Sequence, residues 1–188
     1  HDNQTPYPDV DVSSGDFTTG ELGFRIVGGV ADVLGGYIAE VVLSNSVTNA
    51  GDFNSDGRDD LLVCASEDAY FTDPQDPGTE QNTAGTCYMI FGTTTTLRTA
   101  GGEIDLATYV FSASTGFKIQ GTLAQGYFGR AVHGGFDFNG DGHDDVIFGD
   151  PLDAYNTQGD YLDGGAFVLY GHDSSYSYAS FLMVDFVA

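Results

Sequence analysis

Residues 51–63 read GDFNSDGRDDLLV, and residues 136–148 read FDFNGDGHDDVIF. Each run places acids, amides and glycines directly ahead of a short apolar segment. Counted from Asp52 and Asp137, oxygen-bearing side chains fall at positions one, three, five and nine. They are Asp52, Asn54, Asp56 and Asp60, then Asp137, Asn139, Asp141 and Asp145. Alternate spacing at the start puts three oxygens on the inside of one tight curl. Gly57 and Gly142 follow where the backbone must turn sharply. Position seven, Arg58 or His143, can offer its backbone carbonyl whatever its side chain. Hard oxygen donors without nitrogen or sulfur suit Ca2+ better than zinc or copper. Three carboxylates in one curl repel unless a cation neutralises them. The spacing therefore predicts two Ca2+ sites. The competing reading is an Asx-rich turn without metal. An EF-hand opens with the same spacing, but it needs a Glu at position twelve and flanking helices. Here position twelve is Val63 or Phe148, inside an apolar run. Asp59 and Asp144 are left out of the sites, turned outward or into hydrogen bonds.

Aligning Asp52 with Asp137 brings a longer unit into register. LLVCAS (61–66) matches VIFGDP (146–151), and AGTCYMIFG (84–92) matches GGAFVLYG (164–171). GFRIVG (23–28) matches GFKIQG (116–121). These runs are short, rich in Val, Ile, Phe and Tyr, and bounded by Gly, Asp, Asn or Pro, which is the signature of strands. Only residues 103–112, EIDLATYVFS, leave room for a helical turn or two. The unit is thus four short strands: one before the acidic motif, one directly after it, a third, then GF-x-I-x-G. Four-stranded units repeated along a chain build an all-β propeller.

Asp-x-Asn-x-Asp-Gly-x-x-Asp, with Tyr127-Phe128-Gly129 upstream and Asp150-Pro151 downstream, resembles the FG-GAP repeat. That family forms the blades of the integrin α-subunit head and of many bacterial surface proteins. The resemblance covers about residues 20–171. The first copy departs from it: Gly36-Tyr37 stands where Phe-Gly is usual, and Ala65-Ser66 replaces the small-residue-Pro ending. Those departures touch blade edges and leave the acidic loop intact. The implied organisation is an N-terminal extension (1–22), a first blade with a preceding outer strand (23–121), and a second blade with a C-terminal strand (122–188). A propeller needs at least four blades. Two blades plus an orphan GFRIVG strand leave a fragment, a ring of several chains, a strand-exchanged polymer or a two-blade monomer. Completion by a neighbouring chain is the favoured expectation, because an orphan strand and an exposed last blade are complementary. SFLMVDFVA (180–188) is expected as the last blade's own fourth strand or as an insert into a neighbour.

Cys64 and Cys87 align with Gly149 and Ala166, on strands that should be antiparallel neighbours. Two cysteines in place of a small–small contact predict a cross-strand disulfide, with buried free thiols as the alternative. The charge is lopsided, 28 acids against five Lys plus Arg for a net of −23. Nucleic acid and anionic membranes both demand a basic surface and are excluded as partners. With 14 Phe and 11 Tyr the chain can bury a core, so its acids do not make it disordered. No apolar run approaches the roughly 20 residues a membrane span needs. A start at His1 is read as the mark of a removed leader, hence an exported, extracellular protein. Asn3-Gln4-Thr5 is a glycosylation sequon, effective at Asn3 only in a eukaryotic secretory route. Thr93–Thr96 is a polar turn that could carry O-linked sugars, and the acidic loops 67–80 and 150–163 are expected to be solvated.

These features predict a non-catalytic, calcium-stabilised extracellular module whose partner is itself, assembled into a filament, ring or surface layer. The alternative is an adhesion module for a glycan or matrix protein, which rests on family analogy. A remote alternative is a copper-dependent polysaccharide oxidase using His1, which would need a second His beside the amino terminus. No G-x-S-x-G elbow is present. His143 is expected to face solvent.

Overall fold

Alternating apolar residues between Gly- and Asp-rich turns form strands, and every regular element described is one. The structure, a computed structural model, describes residues 24–28, 30–33, 37–40, 46–68, 70–71, 80–81, 84–93, 103–106, 108–121, 125–151, 164–173, 176 and 181–184. In chain order the strands begin with β1 (Arg25–Val27), β2 (Val30–Val33), β3 (Tyr37–Glu40), β4 (Ser46–Gly51) and β5 (Asp60–Ala65). Next come β6 (Tyr70–Phe71), β7 (Glu80–Gln81), β8 (Thr86–Ile90), β9 (Glu103–Asp105) and β10 (Gly116–Gly121). The last are β11 (Ala131–Phe136), β12 (Asp145–Asp150), β13 (Gly165–Leu169) and β14 (Phe181–Val184).

Two sheets carry the repeat. Sheet 1 runs β4-β5-β8-β10 as an antiparallel meander, the four-strand order expected for the first unit. Sheet 2 runs β11-β12-β13, also antiparallel. Both first strands slip register at matching places, between Asn49 and Gly51 in one and between Gly134 and Phe136 in the other. A bulge of this kind bends the strand just ahead of each acidic loop.

The pairing departs from expectation at both ends. β14 does not join sheet 2; it pairs in parallel with β10, at the edge of sheet 1. β1, expected as an orphan, pairs in parallel with β9 and carries an Arg25–Glu103 ion pair. Strand β9 (Glu103–Asp105) is followed by a tight turn, in which Tyr109 N–H donates to the Asp105 carbonyl at 2.8 Å. No α-helix forms among the described residues of this stretch. Leu106 N–H donates to the Val27 carbonyl at 3.0 Å, so the segment is tied to β1 rather than free to coil.

Sheet 1 has a distinct cover on each face. Its front carries Leu62, Cys64, Cys87, Met89, Phe117 and Ile119, which share one core with Val146 and Phe148 of sheet 2. Val132, Phe167 and Leu169 of sheet 2 pack on the same core. Its back carries Ala65, Tyr88 and Ile90, closed over by Ile104 and Leu106 with Ile26, Tyr109 and Phe111. Lys118 lies over the Tyr88 and Phe111 rings there, at 5.6 and 5.3 Å from their centroids. Burial holds the Lys118 ammonium below its usual range, and Asp68 pulls it back up. Burial likewise raises the Tyr88 phenol, helped by the Asp68 carboxylate it bonds.

Cys64 and Cys87 sit directly opposite each other across β5 and β8 and form the disulfide expected of them, with S–S 2.06 Å and Cα–Cα 4.0 Å. The Tyr127-Phe128-Gly129 turn seats on that bridge. Phe128 is fully buried, stacks on Phe148 at 5.1 Å and donates its N–H to the Ala84 carbonyl. Gly129 has φ +78°, and a Cβ there would collide with Cys87 Sγ and lie 2.9 Å from Cys64 Sγ. Only glycine fits between turn and disulfide.

Candidate metal centre

Each acidic loop begins where a bulged strand ends and finishes where the next strand starts, so the sheets fix both its ends. In the first loop both oxygens of Asp52 accept loop amides, from Asp56 at 2.8 Å and Gly57 at 2.9 Å. Asn54 Oδ1 accepts the Asp56 N–H at 3.1 Å. The second loop repeats this: Asp137 accepts the Gly140, Asp141 and Gly142 amides, and Asn139 Oδ1 accepts Asp141. Position one therefore organises the curl in both copies.

Position five differs between the loops. Asp56 pairs with the exposed Arg58 guanidinium at 3.3 Å. Asp141 accepts the His143 N–H at 3.0 Å and the Asn139 amide at 2.8 Å, which hold its carboxyl below the usual range. The position-seven side chains thus take no part in a ligand set, and their carbonyls remain the candidates. His143 does not face bulk solvent as expected: Nδ1 lies 2.6 Å from Ser55 Oγ of the first loop. Docking of one loop on the other turns the ring inward.

That docking is the principal feature missed in the sequence. Asp144, set aside as a non-ligand, accepts the Asp52 N–H at 2.9 Å across 92 residues of chain. Its side chain fills the space over Gly51 (φ +69°), where a Cβ would clash with it. His172 N–H donates to the Phe53 carbonyl at 3.1 Å, and Phe53 is fully buried, 5.9 Å from Phe117. Asp59, the counterpart of Asp144, instead accepts Asn49 Nδ2 at 3.0 Å within its own unit. The signal available was repetition itself: both copies carry an extra acid just before position nine.

Position nine is buried in both loops, Asp60 at 2 % and Asp145 at 0 % exposure. Asp145 spends both oxygens, Oδ1 on Gly171 N–H at 2.9 Å and Oδ2 on Phe138 N–H at 2.7 Å. Asp60 Oδ1 accepts Gly92 N–H at 2.8 Å, but Oδ2 receives no hydrogen bond of sound geometry. Burial pushes the Asp60 carboxyl up to about 7, the Gly92 and Asn54 amides lower it, and the Asp56 and Asp52 charges raise it. Burying a carboxylate oxygen without a partner costs on the order of 1–3 kcal/mol or more.

Among the described residues no three carboxylate, imidazole or thiolate groups converge in a metal-holding cluster. A Ca2+ ion nonetheless fits the chemistry of the first loop. The donors are all oxygen, the Asp60 oxygen is buried and unsatisfied, and carboxylate oxygens that accept an amide keep lone pairs to spare. Asn3 and His1 lie outside the described residues. Neither a family model nor a curated relative matches the chain.

Proposed function

We propose that the chain is a non-catalytic, calcium-stabilised extracellular module of the FG-GAP type that works by self-assembly through sheet 2. The observation that carries this is the contrast between the sheets. Sheet 1 is covered on both faces by its own chain. Sheet 2 is packed on one face, while its other face presents the rows His133–Ile147–Val168 and Ala131–Gly149–Ala166. Those rows contain no acid, in a chain of net charge −23. Copies repel one another over most of such a surface and can meet on this face. Phe138 stands beside it 65 % exposed, although its repeat counterpart Phe53 is fully buried. β13 has one partner strand among those described, whereas its counterpart β8 has two.

Among the described residues the back of sheet 1 is already covered, which disfavours a head-to-tail stack. A two-fold contact of sheet 2 with sheet 2 remains. The Cys64–Cys87 disulfide supports an oxidising, extracellular setting. Among the described residues no helix is long and apolar enough to cross a membrane. The test is sedimentation of the purified chain with Ca2+ and with EGTA, alongside thermal melts. Association together with a marked fall in melting temperature on chelation is expected. A strict monomer overturns assembly, and indifference to chelation overturns calcium.

A second reading, binding of a glycan or extracellular protein, has one observation in its favour. A small open cleft of about 40 Å³ lies beside Asn54, lined by Phe91, Phe117, His172 and Tyr176 among others. Its aromatic and polar lining, rather than its size, suits contact with the face or edge of a sugar ring. A glycan array with the monomeric chain decides it.

A further inference from the structure

The two acidic loops repeat in sequence but not in bonding. Asp145 is saturated by two backbone amides, and its loop-mates Asp137, Asn139 and Asp141 are exposed. Asp60 is equally buried, yet its Oδ2 has no hydrogen bond, and the Asp52 and Asp56 charges act on its carboxyl. We propose that the first loop is the tighter of the two cation sites, and that its ion clasps sheet 1 to sheet 2, while the second loop is closed by its own backbone. This rests on the calcium reading above and ranks the two sites within it.

Two physical arguments carry the ranking. An ion in the first loop gives Asp60 Oδ2 the partner it lacks, so binding relieves a standing penalty. An ion in the second loop must share oxygens already satisfied and gains no such relief. The first loop is also held by the second unit before any ion arrives. Asp144 accepts its Asp52 amide, His143 meets its Ser55 hydroxyl, and His172 donates to its Phe53 carbonyl. Preorganisation of this kind lowers the ordering cost of binding, and the His172 contact, which comes from outside the second loop, favours the first loop alone. The Arg58–Asp56 ion pair opposes it, but that pair is exposed and contributes little. Because the three holding groups belong to the second unit, an ion that stiffens the first loop also stiffens the contact between sheets.

Substoichiometric Mn2+, which shares the oxygen preference of Ca2+, reads the order of filling in the unmodified chain. Paramagnetic broadening of the Gly57 amide well before that of Gly142 is expected, reversed by excess Ca2+. Calorimetry with Ca2+ should show two steps separated by about ten-fold or more in Kd. Asp60→Asn should remove the tighter step and Asp145→Asn should leave it. Exchange of the Asp52 amide, the donor to Asp144, should slow once the first equivalent of Ca2+ is bound. Broadening at Gly142 first, or at both together, overturns the ranking and leaves the calcium reading standing. No heat and no broadening overturns both. Should either variant fail to fold, the Mn2+ experiment on the unmodified chain still decides.

Discussion

Gly129 shows how much a single position can be asked to do. It lets the Phe128 turn close over the Cys64–Cys87 bridge at a positive φ. Gly129→Ala should cost roughly 2–3 kcal/mol through strain and overpacking, visible as a lowered urea midpoint with an unchanged slope. Asp60 gives a second expectation. Its folded pKa of about 7 lies above the roughly 3.9 of an unfolded chain, so the metal-free fold holds the proton more tightly. Stability from this group is therefore full below pH 4 and is lost as pH rises through 7. The difference is on the order of 2–4 kcal/mol. Melts in chelator should show this slope in the native chain and lose it in Asp60→Asn, which subtracts the histidines and the nearby Asp52 and Asp56. The disulfide partners were legible here, because repeat alignment set Cys64 and Cys87 on facing small positions. The unsatisfied Asp60 oxygen was not, because the same alignment equates it with Asp145. What separates the two is which backbone amides approach from outside the loop.

At the scale of elements, the first unit reads directly from its strands. Period-two apolar runs and Asp-Gly turns are local signals, and they gave β4, β5, β8 and β10 in their meander order. The short strands at the ends did not read so well. β1 and β14 are only three and four residues long, and each pairs in parallel with a strand remote in sequence. A short apolar run can satisfy any open edge of suitable register, so its partner is decided by the assembled sheets rather than by its own residues. Where local signals dominate, covalent reinforcement should be additive. Reducing the disulfide, which spans a sequence separation of 23, should remove about 3 kcal/mol. For a chain of 188 residues that is a fall of roughly 6–12 °C in Tm, measured with and without a thiol reductant.

For the whole molecule, the described residues cover both faces of sheet 1 but only one face of sheet 2. Composition and charge predicted an acidic protein with a core, and the repeated strand pattern made it all-β. They could not locate the bare face, since that follows from where β1, β9 and β14 settle. Val168 lies half-buried in the middle of the bare face. Val168→Glu should abolish self-association in sedimentation at concentrations where the native chain associates, with Tm changed by no more than a few degrees. The loop contact between Gly51 and Asp144 carries a consequence for lineage and for engineering. The residue that corresponds to Gly51 in the second repeat is Phe136, whose ring stacks on His133 at 5.6 Å. A duplicated third repeat would bring its own aspartate to that spot and find a benzyl group in the way. Tandem fusion of such repeats would therefore yield beads that fold in pairs, not a longer stack. Placing glycine at 136 is the first edit any extended version of this chain would need.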